Sequence, residues 1–130
     1  MFPASSIVLR KSKIQGMGVF ASRRIPIDEL VEICPILKLL KHEYTSKGVL
    51  ADYIFGENTL LLGYGCLYNH SSLPNAVQKM RDDTCVIRAV CDIQEGEEIL
   101  IDYGRSWWSS RGMVPVQESI SALRSQFGVP

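Results

Sequence analysis

Several features that would classify a chain quickly are scarce or missing here. The 130 residues hold no apolar run near the roughly 20 residues of a membrane-spanning helix. The start, Met1-Phe2-Pro3-Ala4-Ser5-Ser6, lacks the basic-then-apolar plan of an export signal, so the expectation is a soluble intracellular protein, nuclear or cytosolic. Neither sign of charge is in excess: 14 Lys and Arg face 14 Asp and Glu, for a formal net charge of +0. That balance gives no general attraction to nucleic acid, so no direct nucleic-acid binding is expected and a basic partner would need a local acidic patch. Cys34, Cys66, Cys85 and Cys91 have no Cys-x-x-Cys spacing. They read as reduced structural thiols, and neither a disulfide framework nor a zinc site built with His42 or His70 is expected.

What is present fits one domain over residues 1–130, with 46% hydrophobic and 22% charged residues. Its organising stretch is Asn69-His70-Ser71-Ser72-Leu73-Pro74-Asn75-Ala76. Asn, Ser and Pro favour turns through side-chain hydrogen bonds or a fixed φ, yet this turn lies between core-forming segments. Its donors and acceptors must be met either by the loop itself or by a ligand. Ile7 to Arg10 reads as a strand, Lys11 to Gln15 as a polar bend, and Ala76–Arg81 with Thr84–Ala89 as a hairpin about Asp82-Asp83. An internal echo links Ala21, Ile25, Asp28, Glu29 and Val31 to Ala89, Ile93, Gly96, Glu97 and Ile99 at one offset, a strand-turn-strand signal that predicts two similar hairpins. Ile36 to Tyr44 carries a helical stripe of Leu37, Leu40 and Tyr44, and Val116 to Gly128 another of Ile120, Leu123 and Phe127. Glu97 and Glu98 are adjacent and would face opposite sides of a strand. They are expected to be turn and surface charges rather than a catalytic pair.

Asn-His-Ser-x-x-Pro-Asn-Ala at residues 69–76, followed by Gly96-Glu97-Glu98-Ile99 and Asp102-Tyr103-Gly104, resembles the signature pair of the SET-domain protein-lysine methyltransferases. Gly16-Met17-Gly18-Val19-Phe20-Ala21, Tyr53-Ile54-Phe55 and Gly63-Tyr64-Gly65 precede it in the family's order, so the resemblance covers roughly residues 7 to 108. No cysteine follows Tyr103, so the zinc segment that closes the site in many relatives is missing. The pattern is nearest to the small stand-alone viral histone methyltransferases, which work as dimers. The resemblance implies a mainly β SET domain, or β-clip: several short curved sheets, a knot-like threaded C-terminal segment and a few short helices. The tail from 109 to 130 would then pack on the domain or on a dimer partner.

By the same resemblance the cofactor is S-adenosyl-L-methionine, held by Gly16, Met17, Gly18, Asn69, His70 and Trp108. Tyr103 is the catalytic residue. Tyr53, Ile101, Tyr103 and Trp107 line the channel that receives lysine. The implied activity is methylation of a protein lysine, with a histone-like tail as the partner, and a homodimer as the assembly. Two other readings stay open: a non-catalytic SET-like module that binds protein or chromatin, and a lysine methyltransferase of a non-histone cytosolic protein.

Overall fold

The computed structural model describes residues 6–40, 53–55 and 58–104, and nine strands run through them. β1 (Ile7–Lys11) and β2 (Met17–Ala21) form an antiparallel hairpin in the register Ile7 to Ala21 through Lys11 to Met17. Its turn closes where Ser12 N donates to Gly16 O at 2.7 Å, with Gly16 at φ 50, a left-handed conformation that costs glycine little. β3 (Leu30–Lys38), β4 (Ile54–Phe55), β5 (Thr59–Leu61), β7 (Ala76–Arg81) and β8 (Thr84–Ala89) make a five-stranded sheet in the order β4-β5-β3-β8-β7. β6 (Asn69–His70) and β9 (Leu100–Ile101) pair parallel as a third, two-stranded sheet.

The core lies where these small sheets face one another. Val19, Ile25, Cys34, Ile87, Ile93, Ile99 and Ile101 are fully buried in it. β8 shows how the sequence achieves this: Cys85, Ile87 and Ala89 point inward while Val86 and Arg88 alternate outward, the period of two that a strand imposes. β3 departs from that alternation. A register shift between Leu30 and Glu32 acts as a bulge and puts both Val31 and Glu32 on the buried side.

The echo at an offset of 68 residues proves to be a pair of units that bind each other. Ile25 and Ile93 exchange both backbone hydrogen bonds at 2.8 Å. Ala21 N donates to Glu97 O at 2.9 Å and Ala89 N to Glu29 O at 3.0 Å, while Gly96 N donates to Ala21 O and Asp28 N to Ala89 O. The two turns share their geometry as well, with Asp28 at φ 70 and Gly96 at φ 87. The two copies are therefore not the expected hairpins, since β2 and β3, like β8 and β9, belong to different sheets; they form a local two-fold arrangement with the two isoleucines at its centre.

A second expectation is corrected. Ile36 to Lys38, assigned to a helix with Leu37 and Leu40 on one face, belong to β3 and pair with Leu61 to Thr59. The sheet overrides the weak helical stripe: Ile36 N donates to Asp83 O at 3.0 Å and the Pro35 carbonyl accepts Leu62 N at 2.9 Å, so the start of the stripe is bonded across strands on both sides. Tyr44, the loop 45–48, the stripe at 116–128 and the tail 109–130 lie outside the described residues. Among the described residues there is no α-helix, and no helix long and apolar enough to cross a membrane.

Candidate active site

The site forms where β9 is drawn through the middle of the molecule. On one side, Ile99 N donates to Val19 O at 2.7 Å and Phe20 bridges Glu98. On the other, Asn69 and His70 pair with Leu100 and Ile101, and Ser71 N donates to Ile101 O at 3.0 Å. Asn75 fastens this side: its Oδ1 accepts Leu100 N at 2.8 Å and its Nδ2 donates to Glu98 O at 2.9 Å. Residues 98–101 thus run between β2 and the Asn-His turn, the knot-like arrangement that chains otherwise avoid. The polar turn resolves in the same way, with Asn69, His70, Ser71 and Asn75 all hydrogen-bonded to groups of the segment from Glu98 to Tyr103.

Asn69 and the glycine segment meet over Glu98. Asn69 Nδ2 donates to Glu98 Oε2 at 2.7 Å and to Gln15 O at 3.1 Å, with Met17 O at 3.4 Å. Ser12 Oγ donates to the same carboxylate at 2.7 Å. A Cβ on Gly18 would collide with that carboxylate and lie 3.1 Å from Asn69 Nδ2, so glycine is what allows β2 to close on the pair. Gly16 has open space beside it, and Met17 is exposed. With its amide hydrogens committed to Glu98 and Gln15, Asn69 is oriented so that Oδ1 is the atom it can offer a ligand.

His70 and Tyr103 form the other half. Buried His70 accepts the Tyr103 amide on Nδ1 at 3.0 Å, and the two rings stack tilted with centroids 5.2 Å apart. Accepting there requires the Nδ1 lone pair, so the ring proton sits on Nε2. The 3.6 Å approach of Asp102 to Nδ1 is then not an ion pair. The Tyr103 hydroxyl donates to the Tyr68 carbonyl at 2.5 Å. Burial pushes the phenol well above the usual tyrosine range, and the neighbouring Cys66, Glu98 and Tyr53 add to the shift. At neutral pH the phenol is therefore protonated, with its hydrogen given to Tyr68 O.

Glu32 supports this half from beneath. It is buried, accepts Tyr68 Oη at 2.7 Å and Tyr64 N at 2.9 Å, and so fixes the approach to β6. Burial, then Glu32, drives the Tyr68 phenol far upward. Burial likewise raises the Cys34 thiol strongly and holds Cys85 up at about 11. These thiols stay protonated and inert, the structural role expected of them, whereas Cys91 is exposed.

The structure gathers Gly16, Met17, Gly18, Asn69, His70, Ile101 and Tyr103 around one threaded strand. Tyr53 borders them: the Cys66 thiol donates to its carbonyl at 3.7 Å, and Tyr53 contributes to the Tyr103 shift. Trp107 and Trp108 lie outside the described residues. Glu97 is the expected turn charge, exposed, with Oε1 accepting Gln94 N. Glu98 corrects the expectation of a surface charge: it is half-buried and holds Asn69 and Ser12 rather than a basic residue. The signal that could have exposed it is its place one residue before the buried Ile99, where an acid facing β2 needs polar partners.

Comparison with known proteins points the same way. The SET domain family model matches residues 16–104. A Schizosaccharomyces pombe histone-lysine N-methyltransferase, H3 lysine-37 specific, is 34% identical over 113 residues, 80% of this chain and 77% of that protein. The crystal structure of a candidate histone methyltransferase of Plasmodium falciparum superposes with a TM-score of 0.69 at 38% identity, covering 79% of this chain and 96% of that one. A chain of the Chaetomium thermophilum polycomb repressive complex 2 shares the fold, with a TM-score of 0.63 at 23% identity over 78% of this chain and 16% of that one. With the family model covering most of the chain and the threaded strand in place, the chain belongs to the SET-domain family of protein-lysine methyltransferases.

Proposed function

We propose that the protein transfers a methyl group from S-adenosylmethionine to a lysine ε-amine on a histone tail. The observation that carries this reading is the meeting of the Asn69-His70 turn with the Tyr103 phenol across β6 and β9. The residues suit the cofactor: Gly16 leaves open space for its zwitterionic amino-acid head, and the Asn69 Oδ1 and the nearby Glu98 carboxylate provide acceptors for the ammonium of that head. In this reading Gly16, Met17 and Gly18 hold that head through their main chain, with Asn69 and His70 beside them, and Trp108 covers the base. When bound, the cofactor supplies an electrophilic methyl on a positively charged sulfur.

The chain's own residues do the rest by placement. Transfer is a displacement in line, which needs the amine held in one direction. Tyr103 does this through its hydroxyl oxygen, which the hydrogen bond to Tyr68 O holds in one place. His70 fixes the Tyr103 backbone, and Glu32 fixes the Tyr68 segment. A lysine in water is protonated, with a pKa of about 10.4. In this reading Tyr53, Ile101 and Trp107 line the path of the lysine, and burial there beside a cationic sulfonium disfavours its ammonium form, so the substrate can lose its proton to solvent before it is enclosed, without a dedicated base.

The two relatives at 34% and 38% identity support histone as the substrate class. The reading extends to a nuclear setting, where such tails are found, and to a homodimer like the small viral members. Sedimentation of the full chain checks the dimer. The main test is mass spectrometry of core histones and of a whole-cell lysate after incubation with the cofactor. Mass gains in 14 Da steps on a histone lysine are expected, and methylation confined to non-histone proteins would replace the substrate named here. No methylation, together with no cofactor binding by calorimetry, would favour the non-catalytic module.

A further inference from the structure

We propose that the outer face of β3, β8 and β7 is a docking groove for a partner protein's segment that alternates apolar and acidic side chains. Cross-strand register places Ile33, Val86 and Lys79 in one row, and Leu30, Arg88 and Val77 in the next. By strand alternation these side chains leave the same face, opposite the buried Cys34 and Ile87. They line a concavity of about 430 Å³, within the roughly 300–1,000 Å³ typical of ligand clefts. Its apolar floor is open to solvent: Leu30, Ile33, Val77 and Val90 are each 38–42% exposed. Apolar groups concentrated in one concave patch are more informative than the same groups scattered singly.

The charge around the floor selects the occupant. Lys79, Arg81 and Arg88 line the groove, with Asp28 as the acid among the lining residues. None of these three cations enters an ion pair among the described residues, whereas exposed Arg23 and Arg24 each pair with a carboxylate at 2.9 Å. Arg88 is held in place by the Asp28 carbonyl, at 2.7 Å from its Nη1, so part of the cost of ordering it on binding is already met. A lysine-rich histone tail would be repelled, which separates this groove from the substrate channel. Nucleic acid would leave the apolar floor unused, since its affinity comes from phosphate contacts. The chain's own end carries Arg105, Arg111 and Arg124 against Glu118, the same sign as the groove. A segment whose apolar side chains fill the floor while its carboxylates meet the three cations complements both features.

The test uses fluorescence anisotropy of a short fluorescein-labelled peptide alternating leucine with glutamate, added to the full-length protein. Saturable binding is expected, weakened about tenfold or more in Lys79→Glu/Arg81→Glu and in Val77→Asp, and weakened by salt as rim charges should be. A leucine-lysine peptide should not bind, and Tyr103→Phe should leave binding of the acidic peptide unchanged. Methyl transfer by Lys79→Glu/Arg81→Glu should equal that of the parent. The proposal is overturned if the peptide does not saturate, if the charge reversal has no effect, if duplex DNA displaces the peptide through the same residues, or if the peptide competes with the methylated substrate.

Discussion

The two halves of the internal echo begin alike and end in different jobs. Residues 21–29 and 89–97 share a left-handed turn, a central isoleucine and a matched set of backbone bonds to each other. From the next position they diverge. Leu30 stands where the second copy has Glu98, Cys34 where it has Asp102, and Pro35 where it has Tyr103. The first copy continues into nine residues of β3 in a broad sheet, and the second into a two-residue strand clasped between β2 and β6. A shared turn is thus a scaffold, and a few polar side chains placed just after it separate a sheet strand from the candidate site.

That contrast can be broken most forcefully at its far end. Tyr103→Phe should cut turnover by about a thousandfold, or ~4 kcal/mol, with cofactor affinity little changed. Label transfer and calorimetry check this, and unaltered turnover would take Tyr103 out of the chemistry. At the shared centre, Ile25→Ala and Ile93→Ala should each cost about 3 kcal/mol of stability, read from urea midpoints. Their losses should match, and a clear inequality would mean that the two-fold packing is not energetically equivalent.

Glu98→Gln sharpens the divergence. A neutral amide offers one acceptor where the carboxylate offers Asn69 and Ser12 two, so cofactor binding should weaken about tenfold, or ~1.4 kcal/mol. Leu30→Gln, the same substitution target at the matching position, should leave cofactor binding within error. The smallest effect belongs to the turns. Gly96→Ala meets no neighbouring atom, so its cost is backbone strain alone, about 1 kcal/mol in thermal unfolding. Asp28→Gly should be close to neutral, because Asp already tolerates the left-handed region.

Much of this was open to a reader of the residues. The echo was visible because both turns need the same small, isoleucine and acidic positions, and the Asn-His and Asp-Tyr-Gly strips were visible because side chains that hold a threaded strand leave little choice of residue. Glu98 and Glu32 were not. The first looks like a surface charge beside Glu97 until the approach of Gly18 is known. The second sits in the apolar run Val31-Glu32-Ile33, where only a bulge turns it inward onto Tyr68. The stripe from Ile36 is ambiguous in the sequence because Leu37 and Leu40 fit a helix as readily as a strand, and the partner strand that decides between them is more than twenty residues away. The outer groove was equally hidden, since its rows exist only across three strands.

The parallel contact of Asn69 with Leu100 also bears on how a new copy of the protein comes to life. Partners this far apart in sequence meet only when the loop between them closes, and that cannot happen until residue 100 has been made. A nascent chain halted before residue 100 could complete its hairpins and still possess no reaction centre. Competence would arrive in one late step, so a truncated product should be inert rather than a weakened enzyme.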